Sequence, residues 1–253
     1  MTWTREQEII ALYLYCRIPF NKANNSNKEI QDMAELLGRS TNSVKMKIGN
    51  FGSFDPELKR RGIVGLNGTS QLDEAIWEEY YGHWDKLAFD AQALLAQYRG
   101  QTIEQVAEID FATLPIGEER ELAVRCRINQ TFFRKAVLSS YTNQCCITGM
   151  QEPQLLEAAH IVSWAEDEAN RTNPQNGLCM NALMHTAYDR LLLSVTPDYT
   201  ICVSQQLLES EERNDRHIDL FRKVVGQKII KPNRFLPDPD FLAQQYEKYQ
   251  RAN

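Results

Sequence analysis

Residues 146–189 read CITGMQEPQLLEAAHIVSWAEDEANRTNPQNGLCMNALMHTAYD, and the pattern inside this stretch decides what the chain can be. Leu155 to Ile161 has the composition of a strand and carries His160 near its end. The polar residues from Ser163 to Gln175 predict an irregular loop. Asn176-Gly177 then turns the chain into a second short strand, Leu178 to Met180, and Asn181 is placed to cap a helix. That helix carries His185 and Asp189, which are four residues apart and share one face. The expected unit is strand, loop, strand, helix, with a histidine facing a helix-borne His–Asp pair.

These residue types suit one chemistry. A histidine nitrogen and a carboxylate on one helix face can grip one divalent cation. In phosphodiester hydrolysis the attacking water must lose a proton, and a neutral imidazole such as His160 can take it near pH 7. A bound cation stabilises the charge that builds on the phosphoryl and leaving oxygens. An amide such as Asn176 can hold the imidazole in the right tautomer. Plainer readings stand beside each of these. A histidine on an apolar strand is more often structural, and Asn-Gly more often only a turn. Asp189 could cap the helix or pair with Arg190 or Arg171. Trp164 could pack under the loop or stack on DNA, and Cys146 and Cys179 read as core.

Taken in order, Cys146-Ile-Thr-Gly149, Ala158-Ala-His160-Ile161, Asn176-Gly-Leu178 and His185 with Asp189 resemble the HNH endonucleases, most closely their bacterial restriction-like branch. The resemblance spans about residues 132–204, and Arg127-Ile-Asn-Gln130 with Phe133-Arg134 are similar to the branch's lead-in helix. It implies a ββα-metal fold with His160 as general base, Asn176 as orienting residue and His185 as metal ligand. It also implies a divalent metal (Mg²⁺, with Mn²⁺ as the alternative), double-stranded DNA as substrate, and a role in restriction or antiviral defence. One position departs from the pattern. Many family members carry an acid or histidine just before the base, and here that residue is Ala159. Asp189 is then the first candidate to complete the metal shell and Glu157 the second, because strand alternation puts Glu157 on the face opposite His160. Ala159 also leaves room for a helix-turn-helix DNA-binding protein whose HNH region is inactive. One site of this kind cuts one strand, so a double-strand break points to a homodimer.

Outward from this stretch, residues 1–88 read as helical. Arg5 to Cys16 has helical apolar spacing, Lys28 to Leu37 follows, Gly38 breaks it, and Ser40-Thr41-Asn42 can cap a third helix from Ser43 to Phe51. Helix, glycine turn, helix is the outline of a helix-turn-helix. No acid lies between Leu36 and Phe54, and Arg39, Lys45 and Lys47 are candidates for phosphate contact, against the plainer reading of a solvated face. Asp73, Glu74, Glu78, Glu79 and Asp85 make the stretch around Trp77 and Trp84 acidic, and it is expected to face away from DNA. Glu118 to Leu138 reads as a long helix that also carries Lys135, and its Arg120, Arg125, Arg127 and Arg134 are either phosphate clamps or surface i,i+4 partners of Glu119 and Glu121. Residues 89–135 are expected to connect the helical domain to a nuclease domain at 136–253. There Leu191 to Val195 and Thr200 to Ser204 add strands, and Phe241 to Tyr249 a terminal helix. The fold class is α+β, mainly helical at first and ending in the ββα domain with one small antiparallel sheet. A third reading makes the helical domain a sensor of a partner or small signal.

Composition sets the frame. The chain has 253 residues, 43% of them hydrophobic and 25% charged, as an ordinary globular protein does. The longest apolar run, Ile9 to Cys16, is too short for a membrane span of about 20 residues, and the opening residues lack a signal-peptide pattern, so a cytoplasmic protein is expected. A net charge of −6 argues against a histone-like binder but not against one local basic face. The six cysteines form no CxxC pair and are expected to be reduced.

Overall fold

The structure, a computed structural model, describes residues 2–63, 68–110, 112, 115–117, 119–209 and 216–253. The chain divides into two compact units, residues 1–140 and 141–253.

The first unit is helical and is built around α1 (Arg5–Arg17). Thr4 caps it in a reciprocal box with Gln7, and every residue from Gln7 to Cys16 is buried. A helix buried on all sides must be the centre of its domain. The elements α3 (Thr41–Gly52), α5 (Gln71–Tyr80), α6 (Trp84–Arg99) and α8 (Glu119–Ser140) pack against it, and α2 (Lys28–Leu36) packs on α3. Two short helices, α4 (Pro56–Arg60) and α7 (Ile103–Val106), complete the unit. Residues 89–135 are therefore not a separate connection: α6 and α8 bury Leu95, Val124, Ile128 and Phe132 in the same core as α1. Glu118, the expected start of the long helix, lies outside the described residues.

The glycine turn forms as expected. Gly38 adopts φ +62°, its N–H donates to Glu35 O, and Arg39 N–H donates to Ala34 O. This pair of bonds closes α2 in a glycine-dependent C-cap. Ser40 then caps α3 by accepting from Ser43 N–H.

The second unit places β1 (Leu156–His160) antiparallel to β2 (Gly177–Asn181), with Ala158 opposite Cys179 and His160 opposite Gly177. Helix α9 (Ala182–Asp189) follows directly, capped by the Asn181 carboxamide oxygen on Met184 N–H. The same carboxamide donates to Thr148 Oγ1 at 3.0 Å, and Cys145 Sγ accepts from Asn181 N–H. The Cys-Ile-Thr-Gly turn is thus fastened to the start of α9, while Cys146 N–H donates to Cys179 O on β2. Gly149 closes the turn at φ +75°, and a Cβ there would meet Gln144 Nε2 at 3.3 Å.

The expectation of one sheet is corrected: among the described residues there are two two-stranded sheets. β3 (Leu193–Val195) pairs with β4 (Ile201–Val203), and β4's other edge is occupied by residues 226–228, which exchange hydrogen bonds with Ile201. That edge is closed to β1 and β2. Helices α10 (Gln205–Leu208), α11 (Arg216–Val224) and α12 (Pro239–Ala252) finish the chain, and α12 packs on β3. All six cysteines are free thiols.

Candidate active site

His160 sits at the end of β1, half-buried, where the chain leaves the sheet for the loop 161–176. Its Nε2 lies 2.9 Å from Arg171 O. A carbonyl can only accept, so Nε2 carries the hydrogen and the lone pair of the neutral ring is on Nδ1. Burial lowers the His160 pKa below the ordinary imidazole value; the Arg171 bond and Asp189 oppose this, and His185 adds to it. The neutral form therefore prevails at pH 7. The Trp164 ring packs edge-on against the imidazole at 5.6 Å between centroids, so its place is under the loop. Arg171 holds that arrangement closed: its Nε donates to Trp164 O at 2.7 Å and its guanidinium lies 5.3 Å from the Trp164 ring centre.

Asn176 does not touch the imidazole, which corrects the expected direct orienting contact. Its fully buried carboxamide accepts from Val162 N–H at 2.8 Å and donates to Val162 O at 3.0 Å and Asn170 O at 3.3 Å. It pins both ends of the loop and so places the Arg171 carbonyl that holds His160. The amide matches a peptide group in donor and acceptor spacing, which is why it can staple a loop in a dry interior.

On α9, His185 lies between two carboxylates. Its Nδ1 is 2.5 Å from Glu157 Oε2 and its Nε2 is 3.4 Å from Asp189 Oδ2. Glu157 was set second on the argument that strands alternate. The pairing of β1 is regular, but its burial does not alternate: Leu156 and Ala159 are buried, whereas Glu157, Ala158 and His160 are all partly exposed. Glu157 nonetheless reaches His185, from the face opposite His160. Arg171 is engaged by Glu168 at 2.9 Å and does not pair with Asp189. Ala159 is 0% exposed, so the position that often carries a ligand points into the core.

These residues fit a divalent ion to a limited extent. Two ligand atoms about 2.1 Å from an ion and at right angles to each other stand about 3.0 Å apart, close to the separation of His185 Nε2 and Asp189 Oδ2. Glu157, on the other ring nitrogen, cannot share that ion but can orient the ring, as carboxylates beside metal-bound histidines do. Accordingly, no group of three or more His, Cys, Asp or Glu side chains converges on one point among the described residues.

The basic residues expected to meet DNA lie in the helical unit and fall into two kinds. The Lys47 side chain is 7% exposed and its ammonium is paired with Glu8 at 3.0 Å and with Asp73. It is a core ion pair and is corrected out of the DNA-contact set. Asp73, read as part of an outward acidic stretch, is fully buried with it. Arg39 is half-buried against Gln7 Oε1 at 2.6 Å and lies over the Trp3 ring. Lys45 is half-buried on α3, and Arg127 and Arg134 are exposed on α8, seven residues apart and hence on one face. Arg125 pairs with Glu121 at i,i+4, the surface partnership that sequence offered as the alternative for this helix, whereas Arg120 pairs with Glu104 of α7 instead.

An antiparallel strand pair, a helix entered directly from the second strand, an imidazole at the end of the first strand and a His–Asp pair on the helix together form a ββα unit. Residues 145–196 match the HNH endonuclease family, and this segment, about a fifth of the chain, is an HNH domain. Membership implies a nucleic-acid substrate and a divalent ion of unspecified identity. No curated protein matches the chain. Among the described residues no helix is long and apolar enough to cross a membrane.

Proposed function

We propose that the chain is a metal-dependent endonuclease acting on double-stranded DNA, in restriction or phage defence, as a cytoplasmic homodimer when both strands are cut. The observation that carries the catalytic part is the His160 tautomer: Nε2–H is fixed on Arg171 O, and burial keeps the ring neutral. Nδ1 then takes the proton of a water whose oxygen attacks phosphorus, and the bond to the leaving 3′ oxygen breaks. His185 and Asp189 would hold the ion, Mg²⁺ or Mn²⁺, with water and substrate oxygens filling its remaining positions. When bound, the ion offsets charge on the phosphoryl and leaving oxygens. Glu157 fixes the His185 ring, and Asn176 fixes the loop behind His160. Arg39, Lys45, Arg127 and Arg134 remain the proposed DNA contacts.

The test uses the full chain and a supercoiled plasmid with Mg²⁺ or Mn²⁺. Wild type is expected to nick, and chelation to stop it. His160→Ala is expected to lose at least about 10²–10⁴-fold in rate while retaining DNA in a gel shift. Cleavage by His160→Ala at the wild-type rate would overturn the assignment, and chelator-resistant cleavage would overturn the metal.

A further inference from the structure

The HNH match ends at residue 196, and α12 lies beyond it. Yet α12 is bonded to both halves of the candidate site. On one side, Leu242, Gln245 and Tyr249 form its buried face. Gln245 Oε1 accepts from the Ser194 hydroxyl on β3 at 2.5 Å, with both side chains out of solvent. Asn253, the C-cap, donates through Nδ2 to Leu191 O at 2.9 Å, two residues past Asp189. The helix is thereby fixed to the end of α9 and to the strand that follows.

On the other side, α12 brackets the loop 161–176. Its N-cap residue Asp238 donates N–H to Gln175 O at 3.0 Å, and Gln175 Nε2 donates to Leu236 O at 3.4 Å. Lys248, about 15 Å further along the helix at 1.5 Å per residue, donates to both carboxylate oxygens of Glu166 at 2.6 Å. Glu166 Oε2 also accepts from the Ser163 hydroxyl at 2.7 Å and from Ser163 N–H at 3.3 Å. Lys248 first, and then Ser163, hold the Glu166 carboxyl down to about 2, so it is charged at neutral pH. Between the two attachments lies Arg171, whose carbonyl meets His160 Nε2 and whose Nε donates to Trp164 O, next to Ser163. A loop with few ladder bonds of its own opens at low cost unless it is tied from outside.

We propose that α12 is a brace that sets the spacing between the base and the ion-holding helix, and that Lys248 and Glu166 are positioning residues for the step His160 performs. The inference rests on the nuclease reading above. Lys248 acts through Glu166: the pair keeps the start of the loop closed, so that the Arg171 carbonyl stays on Nε2–H and the lone pair stays on Nδ1. Without the tie the ring loses its acceptor part of the time, and fewer bound substrates meet a correctly placed base. The loss therefore falls on kcat. A lysine that met DNA directly would act on KM and on the salt slope instead.

The experiment is plasmid nicking by the full chain at varied DNA concentration and saturating Mg²⁺ or Mn²⁺. The Lys248 and Glu166 side chains are 39% and 48% exposed, so Lys248→Ala and Glu166→Gln should fold as wild type does. Each should lower kcat about twofold to fivefold, the effect of one exposed ion pair, with KM unchanged. The double variant should lose no more than either single one, because both remove the same tie. Lys248→Arg still reaches the carboxylate and should restore kcat. The Ser163 amide should exchange hydrogen faster in Lys248→Ala. A wild-type kcat in Lys248→Ala overturns the brace, and so does an additive loss in the double variant. A raised KM in Lys248→Ala that Glu166→Gln does not share overturns it too, by making Lys248 a DNA contact. The nuclease reading fails differently: wild type would not nick, or His160→Ala would nick as fast as wild type.

Discussion

Glu157→Gln tests the division of labour around His185. In the structure Glu157 Oε2 holds His185 Nδ1 at 2.5 Å, and Asp189 faces the other nitrogen at 3.4 Å. The first is a charge-assisted hydrogen bond, a kind that contributes about 1.5–3 kcal/mol when buried. The Glu157 side chain is 45% exposed and His185 23%, so solvent screening removes much of that. About 1–1.5 kcal/mol remains, which corresponds to roughly a fivefold to tenfold loss of ion affinity, at the low end of the range for partners behind metal-bound histidines. Gln keeps an acceptor and should hold the ring in place, so cleavage at saturating metal should stay near wild type. Asp189→Asn removes a ligand charge and should shift the metal curve further, with partial recovery at high metal by mass action. The measurements are a Mn²⁺ titration by electron paramagnetic resonance and a metal titration of the plasmid-nicking rate. If the Glu157→Gln curve overlays wild type, the contact does not tune the ion. If the Glu157 change is the larger of the two, the assignments of ligand and partner are reversed.

Three further outcomes follow from the structure. The His160 pKa is lowered by burial, so the acid limb of kcat/KM should have its midpoint below 6.5, the ordinary imidazole value; a midpoint above 6.5 contradicts the desolvated-base reading. In the helical unit, burial and then Asp73 push the Glu8 carboxyl up to about 7. Because the folded state holds this proton more tightly than the unfolded state, the stabilisation is present at low pH and is lost as pH rises from about 4.5 to about 7. Glu8→Gln should flatten that dependence and raise stability at pH 8 by on the order of 1–3 kcal/mol in urea unfolding, and an unchanged pH profile would refute it. Asn176→Ala leaves the Val162 N–H and C=O without their side-chain partner, at about 1–3 kcal/mol each. Faster hydrogen exchange at Val162 should accompany slower cleavage, and wild-type protection there would show that the amide does not hold the loop.

Sequence alone determined the order strand, loop, strand, helix and the residues at its corners, because those features are local. Asn181 caps α9 and Gly38 ends α2 through groups within a few residues of each other, and His185 and Asp189 share a face through helix geometry. The acid-free, lysine-bearing stretch of α3 was equally visible, but its meaning was not. Whether Lys47 faces solvent or Glu8 and Asp73 depends on how α1 and α5 pack, through partners 39 and 26 residues away in sequence. The same holds at the candidate site. The Glu157–His185 contact spans 28 residues, and His160 meets a main-chain carbonyl at Arg171, an atom that every residue possesses and that no residue type announces. Side-chain identity and spacing fix local geometry, whereas the environment of a charge and the tautomer of an imidazole are set by what the chain brings beside them when it folds.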